Sequence, residues 1–314
     1  MKDPAISVAI PLFNKGAFIM EAIESVRSQT FSNFEIVVVD DGSTDNGPAK
    51  LARFNDPRLR IIKQANAGVS VARTRAMREA QGTYVAFLDA DDIWQPDHLF
   101  HLAQLSHRFR GAALCGNAFV EGSARSHTVT VSDAVQYRIV EDYFLECAEG
   151  RSPFYTSSCM VLRECALELG GFPSGNVSGE DLALWIKMAV ASPVAVSNYV
   201  GCIYRRNTGG LSLRAHRSAI DISMSALNEL FEDRNDWPDY RRRNVREYFY
   251  RLALAHCLDG LRAGEINQAK HYLHLAADTQ LMRRRLWVAR LLTFAPRELR
   301  KIFFRFADGR RAGA

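Results

Sequence analysis

The chain has 314 residues, of which 47% are apolar and 24% charged, and its 40 Lys and Arg against 35 Asp and Glu give a formal charge of +5. This length suits one large domain with an appendage, or two domains. The composition excludes a disordered chain, a collagen and a coiled-coil rod.

The cysteines and the N-terminus bear on the compartment. The six cysteines form no C-x-x-C pair and no zinc-site spacing, so we expect buried, reduced thiols in a cytoplasmic protein. Asp3 and Pro4 stand where a signal peptide would carry positive charge and an apolar run. Because no segment has about 18 uninterrupted apolar residues, we expect no membrane-spanning helix.

The first hundred residues alternate apolar strands with amphipathic helices. The pattern predicts strands at Ile6–Leu12, 34–39, Leu59–Lys63 and 83–88, and helices at 17–29 and 68–80. Continuous apolar strands separated by helices predict an α/β fold of Rossmann-like type, with a mostly parallel sheet covered by helices on both faces.

Polar side chains follow three of these strands. They are Asn14 after the first strand, Asp40 and Asp41 at the end of the second, and Asp89, Asp91 and Asp92 after the last. Ligands of such sheets bind outside the carboxyl ends of the strands, so these side chains predict a polar site. The pair Asp89 and Asp91 offers hard oxygen ligands, which suit Mg²⁺ or Mn²⁺ bridging to a diphosphate. No Gly-rich phosphate loop is present, which disfavours a dinucleotide oxidoreductase.

The remainder of the chain is less regular and then helical. Residues 112–204 contain a candidate strand at 112–120, a Gly-Gly-Phe turn at 170–172 and a helix that begins at Glu180 and Asp181. His98, His101 and His107 are interpreted as the surface of a helix. Residues 1–240 carry 23 Lys and Arg against 29 Asp and Glu, a net charge of −6. Residues 241–314, which we predict to be helical, carry 17 against 6, a net charge of +11.

An ordered set of short motifs runs through the first two thirds of the chain. They are ISVAIPLFN (6–14), FEIVVVDDGSTD (34–45), NAGVSVARTRA (66–76), GTYVAFLDADDIWQPDHL (82–99), GGF (170–172) and GEDLALW (179–185). In this order they resemble the motifs of family 2 glycosyltransferases of bacterial surface-polysaccharide type, which have the GT-A fold. The resemblance implies a GT-A domain over residues 1–215, with a nucleotide-binding half (1–110) and an acceptor-binding half (111–215). A basic helical region over residues 216–314 would follow it.

The resemblance also implies roles for individual residues. It assigns the nucleotide base and ribose to Pro11, Phe13, Asn14, Asp40 and Asp41, and further nucleotide contacts to Asn66, Gly68, Arg73, Asp89 and Ala90. It assigns Mg²⁺ or Mn²⁺ on the diphosphate to Asp91, with Asp89 and His216 as candidate further ligands. It makes Asp181 the catalytic base, with Glu180 beside it. Asn207 stands where many members carry a histidine, which leaves the third metal ligand open.

Simpler explanations exist for some of these residues. Acidic side chains favour the N-terminus of a helix, and this alone would explain Glu180 and Asp181. Phe13 could be a packing residue, and Arg73 could lie on a solvated helix face.

The C-terminal segment combines an apolar stripe with positive charge. Leu299, Ile302, Phe303 and Phe306 recur at helical spacing among Arg and Lys. A basic amphipathic helix with aromatic residues suits an anionic membrane surface, so we expect a peripheral position on the inner face of the cytoplasmic membrane. The alternative is a helix that docks on the catalytic domain through ion pairs. No nucleic-acid partner is expected, since no recognised binding module accompanies the charge.

The resemblance, together with these residues, implies an inverting glycosyltransferase. It would move a hexosyl or N-acetylhexosaminyl group from a nucleotide diphosphate sugar, a UDP-sugar, to a hydroxyl of a glycan or lipid-linked acceptor in surface polysaccharide or glycolipid biosynthesis. Two alternatives remain open. A sugar nucleotidyltransferase also uses metal-bound carboxylates beside a parallel sheet, although its Gly-rich N-terminal loop is missing here. A catalytically silent glycan-assembly subunit would share the fold, although Asp89, Asp91 and Asp181 are intact.

Overall fold

Apolar strands without polar alternation form the parallel half of the central sheet. A computed structural model of the chain describes residues 4–122, 134–175, 177–205 and 220–311. Strand β1 (Ile6–Leu12) pairs in parallel with β2 (Phe34–Asp40) and with β4 (Tyr84–Phe87), and β2 pairs in parallel with β3 (Leu59–Lys63). Every residue of β2 is buried, as expected for a parallel strand that helices cover on both faces.

The other half of the sheet mixes directions. β4 pairs antiparallel with β8 (Cys159–Leu162), and β8 pairs antiparallel with β6 (Leu114–Gly122). β6 pairs in parallel with β10 (Val194–Arg205), whose register shifts between Ser197 and Cys202. The short strands β5 (Ile93–Trp94) and β7 (Tyr137–Ile139) pair antiparallel with β10. Within the described ranges the strand order is therefore β3-β2-β1-β4-β8-β6-β10-β5, with β7 also on β10.

Further short elements complete this part of the chain. A separate parallel pair joins β9 (Val177–Ser178) to β11 (Ile220–Asp221). The helices, in chain order, are α1 (Ile19–Arg27), α2 (Gly47–Leu51), α3 (Val69–Glu79), α4 (His98–Arg108), α5 (Tyr143–Glu149), α6 (Arg163–Glu168) and α7 (Glu180–Ala191). The strands and helices predicted in the first hundred residues are confirmed, with ends that differ by one or two residues.

The contacts divide the described chain into two units. The first contains the sheet and comprises residues up to 141 together with those from 152 to 223; the second comprises residues 142–151 and those from 224 onward. The predicted domain boundary at residue 215 lies outside the described residues and stays a prediction.

The second unit is helical. Its long helices are α8 (Ile222–Asp233), α9 (Asp239–Ala263), α10 (Ile266–Leu275), α11 (Arg283–Phe294) and α12 (Arg297–Arg311). Their core includes Leu254, Leu261, Leu286, Leu292 and Phe304. Helix α5 belongs to this unit: Asn244 of α9 donates a hydrogen bond from Nδ2 to Oδ2 of Asp142, at 2.7 Å. None of the helices described is long and apolar enough to cross a bilayer.

The interpretation of His98 and His101 as surface residues was wrong. His98 is fully buried and His101 is also buried, whereas His107 is exposed. His98 faces Asn117 of β6, with 3.1 Å between Nδ1 and the Asn117 Nδ2. Burial lowers the pKa of His98 to about 3, so this imidazole is neutral in the fold. The six cysteines, in contrast, are all free thiols as predicted, and five of them are buried.

Candidate active site

The carboxyl ends of β1, β2 and β4 bring their polar loops to one edge of the sheet, because β1 pairs in parallel with both neighbours. After β1, Asn14 has a φ of 52°, in the left-handed region that Asn tolerates better than most residues. Its Oδ1 accepts a hydrogen bond from the amide of Thr44, at 2.8 Å. The loops after β1 and β2 are thus joined, with Pro11 and Phe13 half-buried beside them.

Asp40 and Asp41 are both buried and both bind backbone amides. Oδ1 of Asp40 accepts from the amide of Ser43, at 2.9 Å. The carboxylate of Asp41 accepts from the amides of Ala67 and Gly68, at 2.9 and 2.8 Å. Asp41 therefore determines the shape of the loop that precedes α3.

That loop also lies close to the turn after β2. Gly42 has a φ of 75°, and a Cβ there would lie 2.9 Å from the amide nitrogen of Asn66. Only glycine combines this φ with so close an approach. Asn66 itself is exposed, and Gly68, with a φ of 92°, immediately precedes α3.

The D-x-D segment lies directly after β4, with Ala90 buried and the carboxylates of Asp89 and Asp91 half-buried. Nζ of Lys15 lies 2.5 Å from Oδ2 of Asp91. A guanidinium nitrogen of Arg73 lies 2.6 Å from Oδ1 of Asp89. Each carboxylate of the motif therefore has a cationic side chain beside it.

Arg73 links this motif to the E-D motif. Besides Asp89, its guanidinium contacts Oε1 of Glu180 at 3.1 Å, and only 5% of Arg73 is exposed. Burial alone would lower the pKa of Arg73, but the carboxylates of Asp89, Glu180 and Asp181 outweigh it and raise that pKa above its ordinary value. Arg73 therefore does not lie on a solvated face. It holds together two motifs that are about ninety residues apart in sequence.

Asp181 is hydrogen-bonded on both oxygens. Thr156 donates its hydroxyl to Oδ2 at 2.6 Å, and the amide of Leu182 donates to Oδ1 at 2.8 Å. Glu180 precedes it at the start of α7, and burial together with the charge of Asp181 raises the pKa of Glu180. Asp181 is thus a fixed acceptor beside the Arg73 cluster.

Three residues at this site were not predicted: Lys15, Thr156 and Ser157. The hydroxyl of Ser157 donates to Oδ2 of Asp92 at 2.6 Å and accepts from the amide of Asp89 at 3.0 Å. Burial and the charge of Asp89 raise the pKa of Asp92 to about 8. Lys15 follows Asn14 directly after the first strand. A cationic side chain next to a predicted site rich in carboxylates was therefore a usable sequence signal. The run Thr156–Ser158 carries no signal that separates it from an ordinary polar turn.

The donor set can be tested against the implied metal. No three described His, Cys, Asp or Glu side chains are grouped as a metal cage, and His216 lies outside the described residues. Mg²⁺ characteristically takes one or two carboxylates, with water and substrate phosphate completing its octahedron. Asp91, with Asp89 two residues away on the same strand end, fits that requirement.

Comparison with known protein families identifies the chain. The model of "Glycosyl transferase family 2" matches residues 7–170, more than half of the chain. The chain belongs to glycosyltransferase family 2. The family predicted from the ordered motifs is therefore confirmed, and it is a family of transferases.

Several curated relatives of this family 2 chain are similar over shorter ranges. The uncharacterized glycosyltransferase YibD of Escherichia coli K12 is 49% identical over 93 residues, which cover 29% of this chain and 27% of that protein. The putative glycosyltransferase EpsH of Bacillus subtilis is 29% identical over 154 residues, covering 48% and 45%. WfgD of E. coli, named as a UDP-Glc:α-D-GlcNAc-diphosphoundecaprenol β-1,3-glucosyltransferase, is 40% identical over 95 residues, covering 30% and 38%. The matches span less than half the length of each of these relatives.

Solved structures match over nearly the whole chain. Residues 1–349 of S. aureus TarS, in complex with UDP-GlcNAc, align with a TM-score of 0.69 at 18% identity and cover 96% of this chain and 92% of that one. The mannosyltransferase PcManGT of Pyrobaculum calidifontis, in complex with GDP-Man and Mn²⁺, aligns with a TM-score of 0.61 at 21% identity and covers 95% and 83%. These alignments confirm the predicted GT-A fold with its C-terminal helices.

Proposed function

We propose that this chain is an inverting glycosyltransferase that moves a sugar from a UDP-sugar to an acceptor hydroxyl. The observation that carries the proposal is the cluster in which Arg73 joins Asp89 of the D-x-D motif to Glu180 of the E-D motif. The D-x-D motif, which we propose as the diphosphate site, and the E-D motif, which contains the proposed proton acceptor, therefore lie at the same edge of the sheet. UDP is favoured as the nucleotide because WfgD is named for UDP-Glc and TarS was solved with UDP-GlcNAc.

Asp181 acts as the general base in this proposal. It takes the proton of the acceptor hydroxyl while that oxygen attacks the anomeric carbon. The bond to the diphosphate breaks on the opposite face of the sugar, and its electron pair leaves with UDP. The hydrogen bonds from Thr156 and Leu182 occupy one lone pair on each oxygen, so each oxygen keeps a second lone pair for the proton.

Asp91 would hold a divalent metal, with Asp89 near enough to assist. A bound Mg²⁺ or Mn²⁺ supplies charge neutralisation to the departing diphosphate. Lys15, 2.5 Å from Asp91, brings a further positive charge to the same place. Asp40, Asp41, Asn14 and the loop at Asn66–Gly68 are proposed to contact the nucleoside.

Thermal unfolding with nucleotides tests the donor assignment. We expect UDP, UDP-glucose or UDP-GlcNAc with MnCl₂ to stabilise the protein by about 2–3 kcal/mol when the ligand is at a hundred times its Kd. Chelation with EDTA and the Asp91→Ala variant should both remove most of this effect. The control is Glu79→Ala, which removes an exposed carboxylate from α3 of the same unit. Equal stabilisation of Asp91→Ala and wild type would refute the metal site, and no stabilisation by any UDP compound would refute the donor class.

The acceptor is proposed to be a lipid-linked or surface glycan, as the name of WfgD suggests for that relative. A membrane acceptor requires access to the bilayer, and we propose that the helices α11 and α12 provide it on the inner face of the cytoplasmic membrane. Of twelve exposed large apolar side chains in the described residues, nine lie between Leu281 and Phe306. Phe294 is 82% exposed and Phe306 is 74% exposed.

The charge around these side chains suits an anionic surface. Arg283, Arg284, Arg285 and Arg290 lie on α11, and Arg297, Arg300, Lys301 and Arg305 on α12. Aromatic side chains at the depth of the headgroups, flanked by arginines, are typical of helices that lie in the membrane interface.

Vesicle sedimentation tests this membrane face. Deletion of residues 281–314 would also remove Leu286, Leu292 and Phe304 from the helical core, so point variants are preferable. We expect Phe294→Ser with Phe306→Ser to weaken binding to phosphatidylglycerol-containing vesicles about tenfold or more. Tyr240→Ser, at another exposed aromatic of the second unit, should bind like wild type. Unchanged binding of the double variant, or equal binding to vesicles of phosphatidylcholine alone, would contradict the proposal.

A further inference from the structure

The polar turn Thr156–Ser158, which directly precedes β8, connects the two carboxylate motifs. Thr156 bonds Asp181 of the E-D motif at 2.6 Å. The next residue, Ser157, bonds Asp92 at 2.6 Å and the amide of Asp89 at 3.0 Å. Two consecutive hydroxyls therefore contact the candidate base on one side and the D-x-D loop on the other.

The turn is well suited to hold these groups in place. Thr156 is 1% exposed and Ser157 is fully buried, so neither hydroxyl can exchange its partner for bulk water. The turn continues into β8, which pairs with both β4 and β6. Its position is therefore determined by the sheet itself and not by a free loop.

The contact with Thr156 determines how the Asp181 carboxylate is oriented. The amide of Leu182, which belongs to the adjacent residue, donates to Oδ1 only, and a single donor restrains a carboxylate less than donors on both oxygens do. A second donor on Oδ2, from a different element, fixes the plane. The remaining lone pairs then point in a constant direction, which is what proton transfer from a bound hydroxyl requires.

We propose that Thr156 is a positioning residue for glycosyl transfer, which holds the Asp181 carboxylate in register with the donor bound at the D-x-D loop. The inference rests on the proposed function, because it requires Asp181 to accept the proton. Thr156 itself touches neither substrate nor the transferred proton. Its hydroxyl acts through Asp181, and Ser157 ties the same turn to Asp89 and Asp92.

The test compares Thr156→Val, which keeps the shape and removes the hydroxyl, with Thr156→Ser, which keeps the hydroxyl. Ser158→Ala is the matched control, since the buried Ser158 hydroxyl bonds the backbone of Tyr155 within the same turn. The measurements are release of UDP from UDP-glucose and UDP-GlcNAc with a lipid extract or water as acceptor, the Kd of UDP with MnCl₂, and crystal structures of the variants.

We expect Thr156→Val to lower kcat by about 10–100-fold while the Kd for UDP stays within about twofold of wild type. Thr156→Ser should restore kcat to within about threefold of wild type. Ser158→Ala should lower the melting temperature without a comparable loss of kcat. In the crystal structure of Thr156→Val, the Asp181 carboxylate should be rotated from its wild-type orientation, a result that does not depend on the choice of sugar.

Several outcomes would overturn the inference. They are a wild-type kcat in Thr156→Val, an Asp181 orientation unchanged in that variant, or a Thr156→Ser variant as impaired as Thr156→Val. The variant Asp181→Asn separates this failure from failure of the proposed function. If Asp181→Asn is inactive and Thr156→Val is fully active, only the positioning role is wrong; if Asp181→Asn retains turnover, the base assignment is wrong.

Discussion

At the scale of single residues, Arg73 connects the two carboxylate motifs of the candidate site. A buried guanidinium is tolerated because Asp89 and Glu180 both pair with it, and the ring of Phe172 lies 5.4 Å from the guanidinium carbon. Removing one member of such a buried group leaves the others as unpaired charges, which costs more than the loss of an exposed ion pair.

The stability of Arg73→Met tests this role. We expect the free energy of unfolding to fall by about 3 kcal/mol, because Asp89 and Glu180 lose their common partner. Arg75→Met is the matched control: Arg75 lies two residues further along α3, and its side chain is 38% exposed, so the loss there should stay within about 0.5 kcal/mol. Urea denaturation of both variants measures the difference. A similar loss in the two variants would contradict the bridging role.

The position of a residue at the sheet edge was predictable from sequence where that residue follows an apolar strand. Asp89, Asp91 and Asn14 follow apolar strands, and the structure brings all three to the predicted edge. Thr156 and Ser157 gave no such indication, because their partners are 25 and 65 residues away in the chain. Only the tertiary fold brings them together.

At the scale of elements, α4 contains a buried histidine that makes stability depend on pH. His98 has a pKa of about 3 in the fold, through burial and secondarily the nearby His101, against about 6.5 in an unfolded chain. The folded chain contains the neutral imidazole of His98. The contribution of His98 to the free energy of unfolding is therefore complete above pH 6.5 and is lost as the pH falls toward 3.

The variant His98→Gln tests this dependence. We expect the stability difference between wild type and variant to shift by about 2 kcal/mol against wild type between pH 7.5 and pH 5, because unfolded His98 gains a proton that the folded chain excludes. In that difference the contributions of other groups, including Asp92, cancel. Denaturation at both pH values measures this difference, and His107→Gln, at an exposed position of the same helix, is the matched control. A pH-independent difference for His98→Gln would mean that the imidazole is accessible to protons.

Elements with a strong pattern were predictable, and elements that depend on distant partners were not. β1, β2 and β3 lie where continuous apolar runs placed them. β8 is only four residues long and owes its place to pairing with β4 and β6. In α12 the predicted stripe at Leu299, Ile302 and Phe306 is exposed, whereas the neighbouring Phe304 is buried in the helical core. Periodicity showed that the helix has an apolar face but not which apolar residues pack.

At the scale of the whole molecule, the modest charge of +5 conceals a division along the chain. The part that contains the sheet and its carboxylates is acidic, and residues 241–314 carry a net charge of +11. We propose that this division separates chemistry from membrane contact. The family and the fold were predictable because the short motifs occur in a characteristic order along the sequence. The acceptor-binding half, which we predict to lie in residues 111–215, is less patterned, so no periodicity identifies the side chains that would select the sugar, the acceptor and the linkage.

The central claim is that Asp181 is the base of a glycosyl transfer from a UDP-sugar, and the Asp181→Asn variant tests it most directly. We measure release of UDP from UDP-glucose and UDP-GlcNAc beside the Kd of UDP in the presence of MnCl₂. Removing a general base should lower kcat by about 10²–10⁴-fold, while the Kd, for which we propose Asp91 and the nucleoside loops as the determinants, should change less than about twofold. Turnover at the wild-type rate in Asp181→Asn would contradict the account.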